Sequence, residues 1–480
     1  MAVEKHVITL TSGLAFDFTN LFGPDRLSAE NIAGMADKIA AAQKAISHLR
    51  LKGEVQGHLS KDGTPEHVYF TRLPYIQEGH PNTPELIAEL TKYGQKVRSD
   101  CDAVIFCGIG GSYLGGKVLY DSFTSRLWDN APAKPFTTKI YFSGNSVDVD
   151  DMEAIWQEIL LAGKAKQATS GKTMKVAVIP ISKSGTTLEP LSAFLYFYAK
   201  LQENKNYFQT EVAVVTDKTN TSGPFNILAA KYGWELFDLV EGIGGRFSVL
   251  STPGLIVAAV LGMNINSLLE GARDMDKACQ SDSLAENPAL ANAVYKYLAF
   301  TKHGCNIEVM MPYGFKLQSL GNWYVQLLAE SLGKRKNKKG EEVFYGRTPT
   351  VAIGTTDMHS QTQLHQEGRR DKVVQFVALG NAQGRIILHN SFPEIPQFQK
   401  MEGLDVNKAL LIALAANAEA LTSDNRFNAC YHLPKLNEYF LGQIFYYLML
   451  SIAYEGEFAN VDAFDQPGVE IYKRIMKKNL

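Results

Sequence analysis

The sequence predicts an α/β protein with two doubly wound parallel-sheet domains and helical segments at its N- and C-terminal ends. Short apolar runs alternate with helical patterns along most of the 480 residues, and this alternation is typical of parallel sheets covered by helices on both faces. The length exceeds what a single hydrophobic core usually organises. We therefore expect a helical segment at 1–60, a first α/β domain at 61–255, a second at 256–435, and a helical segment at 436–480.

The elements of the first half follow from local patterns. The clearest amphipathic helix of the N-terminal segment runs over 30–51. Strand-like apolar runs, separated by helical patterns, lie at 103–107, 139–142, 176–181 and 211–216. A glycine-rich stretch at 242–253 is interpreted as a hinge between the two domains.

The second half repeats the alternation without an alignable internal repeat. Its predicted elements are a helix at 288–302, a strand at 306–311, a helix at 316–332, strands at 350–353 and 373–378, and a helix at 406–421. The remaining chain, 436–479, reads as helices.

Composition narrows the class of protein. Hydrophobic residues make up 45%, charged residues 20%, and the formal net charge is −2, which is typical of a soluble globular protein and argues against a nucleic-acid or membrane partner. Five cysteines without a C-x-x-C pair indicate reduced thiols. With no signal-peptide pattern at the start of the sequence, we expect a cytoplasmic location. Cysteine and histidine spacings typical of zinc sites are missing from the sequence, so no metal is expected.

A hydroxyl-rich segment is the most informative local feature. It reads Ser182-Lys183-Ser184-Gly185-Thr186-Thr187 and joins a predicted strand to a predicted helix. The unpaired N–H groups and partial positive charge of a helix N-terminus attract phosphate. One hydroxyl would serve as a helix cap, but four around a glycine favour a phosphate cradle for a small phosphorylated ligand.

The first predicted strand ends in a glycine-rich turn, 108–117. A dinucleotide fingerprint fails because Tyr113 occupies a required glycine position, and a P-loop fails because Val118 replaces the Ser or Thr that would hold magnesium. Two interpretations stay open. The turn serves close backbone packing, or it lets Gly111 and Ser112 approach a ligand.

Two charged residues stand in unusual surroundings. Arg246 lies among glycines in the segment 242–248, where its guanidinium can stabilise an anion or form an ordinary salt bridge. Glu330 lies near the end of an apolar helix, where the helix dipole disfavours a carboxylate. It fits either a buried base or a surface residue paired with Lys334.

Together these motifs resemble the glucose-6-phosphate isomerase family of the bacterial type. The segments that carry the resemblance are 108–115, 182–187, 244–248, 330–334 and 466–473. The resemblance runs from about Cys107 to Lys473. It implies two sugar-isomerase (SIS) domains, a sugar-phosphate ligand, and a homodimer with sites shared between subunits. It also implies cofactor-free interconversion of glucose 6-phosphate and fructose 6-phosphate, in glycolysis and gluconeogenesis, through ring opening and a cis-enediolate.

The resemblance assigns roles residue by residue. Glu330 matches the base that moves a proton between C2 and C1, and Arg246 matches the group beside the enediolate. Lys473 and His359 match the pair that opens the ring; His365 resembles a later, noncatalytic histidine of the family. The implied substrate-binding residues are Gly111, Ser112, Ser182, Lys183, Ser184, Thr187, Gly245, Gln326 and Gln466. Tyr113 departs from the Asp of many members, which affects the local sugar contacts.

Alternative functions would require different sets of residues. A sugar-phosphate-binding regulator without catalysis would have no use for Glu330, His359 and Lys473 together. A broader isomerase acting also on mannose 6-phosphate is compatible with all the motifs. In the family the ring-opening histidine reaches into the neighbouring subunit's site. The resemblance therefore implies that His359 serves a site whose Glu330 and Lys473 belong to the other chain.

Overall fold

The computed structural model describes residues 5–59, 63–124 and 137–479. The chain forms two compact units, one comprising Met1–Thr71 and Glu270–Leu480 and the other Arg72–Leu269. We refer to them as the discontinuous unit and the continuous unit. The four-segment division expected from the sequence stays a prediction.

Fifteen strands are formed by the described residues. They are β1 (Val7–Thr9), β2 (Ala15–Asp17), β3 (Glu54–Leu59), β4 (Pro65–His67), β5 (Ala103–Cys107), β6 (Lys139–Ser143), β7 (Met174–Pro180), β8 (Phe208–Thr216), β9 (Glu235–Asp238), β10 (Ile307–Pro312), β11 (Lys334–Lys336), β12 (Glu342–Tyr345), β13 (Thr348–Val351), β14 (Lys372–Asn381) and β15 (Phe427–Lys435).

Fifteen α-helices accompany them in the same described ranges. They are α1 (Ala29–Ala33), α2 (Ala36–Lys52), α3 (Pro84–Asp100), α4 (Gly111–Phe123), α5 (Val149–Ser170), α6 (Leu188–Glu203), α7 (Pro224–Tyr232), α8 (Thr252–Leu261), α9 (Ile265–Ala278), α10 (Pro288–His303), α11 (Gln318–Leu332), α12 (Thr362–Glu367), α13 (Val406–Ser423), α14 (Glu438–Ala459) and α15 (Val469–Asn479). None of these helices is long and apolar enough to cross a membrane.

The continuous unit contains a five-stranded sheet in the order β6-β5-β7-β8-β9. All its neighbouring strands are parallel. Every residue of β5 is buried, as expected for a central strand of a parallel sheet with both faces covered. Trp156 of α5 and Phe194 of α6 belong to the apolar core on one of these faces.

The discontinuous unit contains a six-stranded sheet in the order β1-β2-β15-β14-β10-β13. The four strands from β15 to β13 are parallel, and β2 joins β15 in the antiparallel direction. The two units thus confirm the predicted α/β class with parallel sheets.

The two faces of the six-stranded sheet carry different layers. Glu308 on β10 faces α10 and α11, since it contacts Lys296 of α10 and accepts a hydrogen bond from Tyr324 of α11 (2.8 Å). Its neighbour Val309 faces the opposite way and packs in a core that includes Leu414 of α13. We call these the α10–α11 face and the α12–α13 face.

A fully buried charge cluster lies on the α10–α11 face. Its members are Lys296, Glu308, Arg347 and Glu455, each at most 5% exposed. Arg347 joins the two carboxylates: its Nε lies 2.6 Å from Glu308 Oε2 and its Nη2 lies 2.9 Å from Glu455 Oε2. Burial alone would raise the pKa of Glu308, but Lys296 and Arg347 outweigh it and hold that pKa at about 2. Glu308 is therefore ionised at neutral pH.

Three predictions of local structure need correction. The segment 1–60 is not wholly helical, because β1, β2 and β3 accompany its two helices. The stretch 242–253 is not a hinge; residues 246–250 are buried within the continuous unit in a short 3-10 helix. Strand β15 is missing from the predicted elements, although it pairs with both β14 and β2.

Candidate functional site

The hydroxyl-rich segment of the continuous unit lies where the sequence predicts it, between β7 and α6. Ser182 is buried and its Oγ accepts the N–H of Gly185 at 3.2 Å. Lys183 and Ser184 are exposed, and the carbonyl of Lys183 accepts a hydrogen bond from Thr216 Oγ1 of the neighbouring strand at 3.1 Å. The loop is thus held by the sheet while its outer groups face solvent.

Thr187 is the N-cap residue of α6 but does not act as a side-chain cap. Its hydroxyl accepts no hydrogen bond from the first turn of α6, all of which lies in the described range 137–479. It instead accepts a hydrogen bond from Ser182 Oγ at 3.4 Å. The simple capping interpretation therefore does not explain this hydroxyl, and the helix N-terminus can accept an anion.

The glycine-rich turn after β5 is packed against the segment around Arg246. A Cβ on Gly111 would come within 1.9 Å of the carbonyl oxygen of Gly245. Ser248 Oγ donates to the carbonyls of Gly245 (2.7 Å) and, more weakly, Gly111 (3.4 Å). Close backbone packing is therefore one reason for these glycines. The approach of a ligand to Gly111 and Ser112 stays a prediction.

Arg246 is buried within the continuous unit, with only 1% of its surface exposed. Its guanidinium carbon lies 5.5 Å from the ring centroid of Phe247. A buried guanidinium keeps its charge, so this residue supplies a fixed positive charge next to the backbone of Gly245.

Glu330 lies in the last turn of α11, in the discontinuous unit, and is half-buried. Gln326, one turn earlier, donates from Nε2 to Glu330 Oε1 at 3.2 Å. Lys334 Nζ reaches the main-chain carbonyl of Glu330 (2.7 Å) and also forms an ion pair with Asp465 (3.0 Å). Lys334 is 5% exposed, so the interpretation of a solvated surface pair does not describe it.

The two candidate histidines differ in exposure. His359 ends a short 3-10 helix, Thr356–His359, and is exposed. His365 lies on α12 and is buried, and this burial lowers the pKa of its imidazole. An accessible imidazole suits proton transfer with a ligand, and the role of His359 stays a prediction.

The last motif lies at the start of α15. Gln466 is exposed just before the helix, and Lys473 Nζ lies 3.0 Å from Glu470 Oε1. Both side chains of this pair are about half-exposed. The helix has no buried residue, and its apolar residues Ile471 and Ile475 are exposed as well.

Within the discontinuous unit the structure separates Glu330 from His359. Helix α11 begins beside the carboxyl end of β13, where Gly321 contacts Val351. It ends beside Gly346, which precedes β13. From Gln318 to Glu330 the helix advances by about 18 Å. His359 instead follows the carboxyl end of β13, and its neighbour Met358 packs in the core of the α12–α13 face.

The described residues contain no group of three or more His, Cys, Asp or Glu side chains that could hold a metal ion. Their five cysteines are unpaired and buried, and burial raises the pKa of Cys101, Cys279 and Cys305 to about 12. Such thiols are poor nucleophiles.

Parallel α/β sheets with a hydroxyl-rich loop at a strand end and a buried arginine define a class of proteins that bind phosphorylated small molecules. Comparison with known proteins makes this class specific. A family model described as phosphoglucose isomerase matches residues 36–480. The chain belongs to the phosphoglucose isomerase family.

Individual relatives agree with this assignment. A glucose-6-phosphate isomerase of Carboxydothermus hydrogenoformans is 34% identical over 466 residues, which cover 96% of this chain and 93% of the relative. One from Methanocaldococcus jannaschii is 32% identical over 388 residues, covering 80% and 86% of the two chains.

Two solved structures share the fold. A hypothetical protein of Thermus thermophilus is 26% identical with a TM-score of 0.78, covering 97% of this chain and 99% of the other. A glucose-6-phosphate isomerase of Chlamydia trachomatis is 20% identical with a TM-score of 0.76, covering 98% and 89%. The latter likeness concerns the fold alone.

Proposed function

We propose that this chain interconverts glucose 6-phosphate and fructose 6-phosphate through ring opening and a cis-enediolate, with Glu330 as the proton-carrying base. The single observation that carries the assignment is the family match over residues 36–480. The residue roles below are supported by local geometry and by the order of the motifs.

Phosphate binding is assigned to the segment 182–187 and to Ser112. Thr187 does not cap α6 with its side chain, and the exposed Ser184 hydroxyl accepts the N–H of Thr186 at 3.2 Å, which orients it. A bound phosphate would fix the distal end of the sugar, and its binding energy would position C1 and C2.

Ring opening requires that a proton leave O1 while another is delivered to O5. We assign this exchange to His359 and Lys473, since an imidazole and an ammonium can accept and donate protons. Both side chains are accessible in the chain. The contact with Glu470 holds the Lys473 ammonium on one side of α15.

Isomerisation then requires one base that removes the C2 proton and returns it to C1. Glu330 is half-buried on a helix end, and the hydrogen bond from Gln326 orients its carboxylate. Gln326 Oε1 is itself buried without a hydrogen-bond partner among the described residues, so it can accept a sugar hydroxyl. Arg246 would stabilise the negative charge of the enediolate oxygen, and Gly245 and Gln466 would complete the contacts with the sugar.

We further propose a homodimer in which His359 completes the site of the other chain. The opposite placement of Glu330 and His359 in the discontinuous unit supports this arrangement, because one side chain cannot bridge the length of α11. A cytoplasmic location is proposed as well, since five unpaired cysteines suit a reducing compartment.

The test uses the purified chain in heavy water with fructose 6-phosphate as substrate. Glucose 6-phosphate carrying deuterium at C2 is expected, because the base exchanges its proton with solvent during part of the turnovers. Parallel assays with mannose 6-phosphate and with unphosphorylated glucose define the specificity. Turnover of free glucose at an equal rate would contradict the phosphate-binding role, and an absence of turnover on all sugar phosphates would contradict the proposed function.

A further inference from the structure

A cationic cleft of about 210 Å³ lies in the discontinuous unit, at the amino ends of β14 and β15. We call it the amino-end cleft. Its polar lining includes His303, His365, Arg369, Arg370, Lys372 and Arg426. Asp25 is the only acidic residue among the described residues of the lining. None of the residues proposed above for catalysis or substrate binding contributes to it.

Part of the positive charge in this cleft is not neutralised. Arg370 and Arg426 share one carboxylate, that of Asp424, at 2.7 and 2.8 Å. Lys372 pairs with Asp371. The guanidinium of Arg369 forms no ion pair with any described residue.

Two imidazoles in the cleft have ring nitrogens without a partner. His365 is 3% exposed, and its Nδ1 is buried with no hydrogen-bond partner in the described part of the chain. His303 Nε2 is also buried and has no hydrogen-bond partner in the described part of the chain. Buried polar atoms nearly always have a hydrogen-bond partner, so two such nitrogens in one cationic cleft indicate a ligand that supplies the partner.

The chemistry of the lining selects an anion. Burial lowers the pKa of both histidines, and a neutral imidazole still has one N–H to donate. The planar guanidinium of Arg369 matches two phosphate oxygens at once. The lining also includes the apolar residues Val374, Leu421 and Phe427, which can contact the organic part of a small ligand.

We propose that the amino-end cleft is a second anion site, which binds the phosphate group of a small phosphate monoester through Arg369, His303 and His365. The inference is independent of the isomerase function, because all the residues that carry it lie outside the proposed catalytic machinery. The phosphate group is the part of the ligand that the site recognises, so inorganic phosphate serves as the probe.

The experiment follows the imidazole ¹⁵N resonances of the full chain, labelled at histidine, during titration with inorganic phosphate at a mildly alkaline pH. Resonances are assigned with His303→Asn and His365→Asn. Phosphate is expected to shift His365 and His303 together with one affinity. Arg369→Gln, at an exposed position, is expected to weaken this affinity about ten- to a hundredfold, because a charge-assisted contact is lost. Arg385→Gln is the matched control, since Arg385 is exposed and pairs with Asp405 outside the cleft.

Two results would overturn the proposal. One is that the His365 and His303 resonances do not respond to phosphate, or respond equally to chloride at the same ionic strength. The other is that Arg369→Gln binds phosphate at these histidines as tightly as Arg385→Gln does. Binding at the hydroxyl-rich segment 182–187 is distinguished by Arg369→Gln, which removes a charge from the cleft and leaves that segment unchanged.

Discussion

Glu330 and His359 belong to the same unit, but they lie beside opposite ends of strand β13. Glu330 is in the last turn of α11, a helix of the α10–α11 face whose end lies beside Gly346, just before β13. His359 follows the carboxyl end of β13, and the adjoining Met358 packs on the α12–α13 face. This separation supports the proposal that the two groups reach one sugar from different copies of the chain.

We therefore predict that two inactive variants complement each other. Glu330→Gln and His359→Ala are each expected to be nearly inactive. After the two are denatured together and refolded, about half the dimers should be mixed and one of their two sites should carry neither substitution, so roughly a quarter of wild-type activity should return. Activity is measured by coupling the product to a dehydrogenase.

The control for this mixing experiment is wild type taken through the same denaturation and refolding. If wild type recovers its activity and the mixture recovers none, both residues act within one chain. The shared-site dimer would then be abandoned, although the isomerase assignment would survive.

Substitution of the base should affect turnover rather than binding. Glu330→Gln preserves the shape and the contact with Gln326 but removes the basicity, so kcat should fall about 10²- to 10⁴-fold while KM changes little. Glu342→Gln is the matched control, because Glu342 is a half-exposed carboxylate in an ion pair with Arg335. Near-normal turnover in Glu330→Gln would place the base elsewhere.

Thr187 and Thr83 offer a matched pair in the continuous unit. Thr187→Ala should raise KM for the sugar phosphate about tenfold or more, through loss of a hydrogen bond to a charged ligand, with little change in the unfolding midpoint. Thr83 does cap its helix, accepting the N–H of Leu86 at 3.2 Å. Thr83→Ala should therefore cost about 1 kcal/mol of stability and leave KM unchanged. The reverse pattern would show that Thr187 serves the helix and not the ligand.

The buried cluster around Arg347 should dominate the stability of the discontinuous unit. Arg347→Met leaves the carboxylates of Glu308 and Glu455 buried without their shared partner, and should cost about 3–5 kcal/mol. Arg335→Met removes a largely exposed ion pair with Glu342 and should cost at most about 1 kcal/mol. Urea unfolding followed by tryptophan fluorescence and circular dichroism compares the two; equal losses would mean that burial does not set the cost.

Acid should remove the contribution of the cluster around Arg347 to the free energy of unfolding. The pKa of Glu308 is about 2 in the folded chain against an ordinary value of 4.5, so the unfolded chain takes up protons first as the pH falls. The stabilisation is complete above about pH 4.5 and is lost progressively towards about pH 2. Arg347→Met should flatten this part of the stability profile, because the lower pKa depends on Arg347. If the stability of Arg347→Met fell with pH between about 4.5 and 2 as steeply as that of wild type, Arg347 would not be the cause of the low pKa of Glu308.

The sequence predicts best the elements that show a clear pattern of apolar residues within their own few residues. Strand β5 is predicted with its observed ends because five consecutive apolar residues are buried on both faces of the parallel sheet. Helices α10 and α13 carry clear helical patterns and are predicted to within a few residues. The α/β class follows from these elements alone.

Long-range pairing explains the elements that local patterns do not predict. Strands β1 and β2 have three residues each, and β2 exists as a strand because it pairs with β15. Strand β15 interrupts its apolar run with Asn428, His432 and Pro434, so no strand pattern distinguishes it locally. The amino-end cleft could not be predicted from local patterns either, because Asp25, His303 and Arg426 come from distant parts of the chain.

The pairing of β2 with β15 has a consequence during synthesis on the ribosome. Ala15 is aligned with His432, so roughly 400 residues separate the two partners. At about 5–20 residues per second, β15 is synthesised roughly 20 to 80 seconds after β1 and β2. All strands of the continuous unit are synthesised well before β15. Until then the apolar side of β2, with Phe16, has no sheet to cover it. A nascent chain arrested before residue 427 should therefore bind a ribosome-associated chaperone through its N-terminal residues, and release it once β15 has emerged.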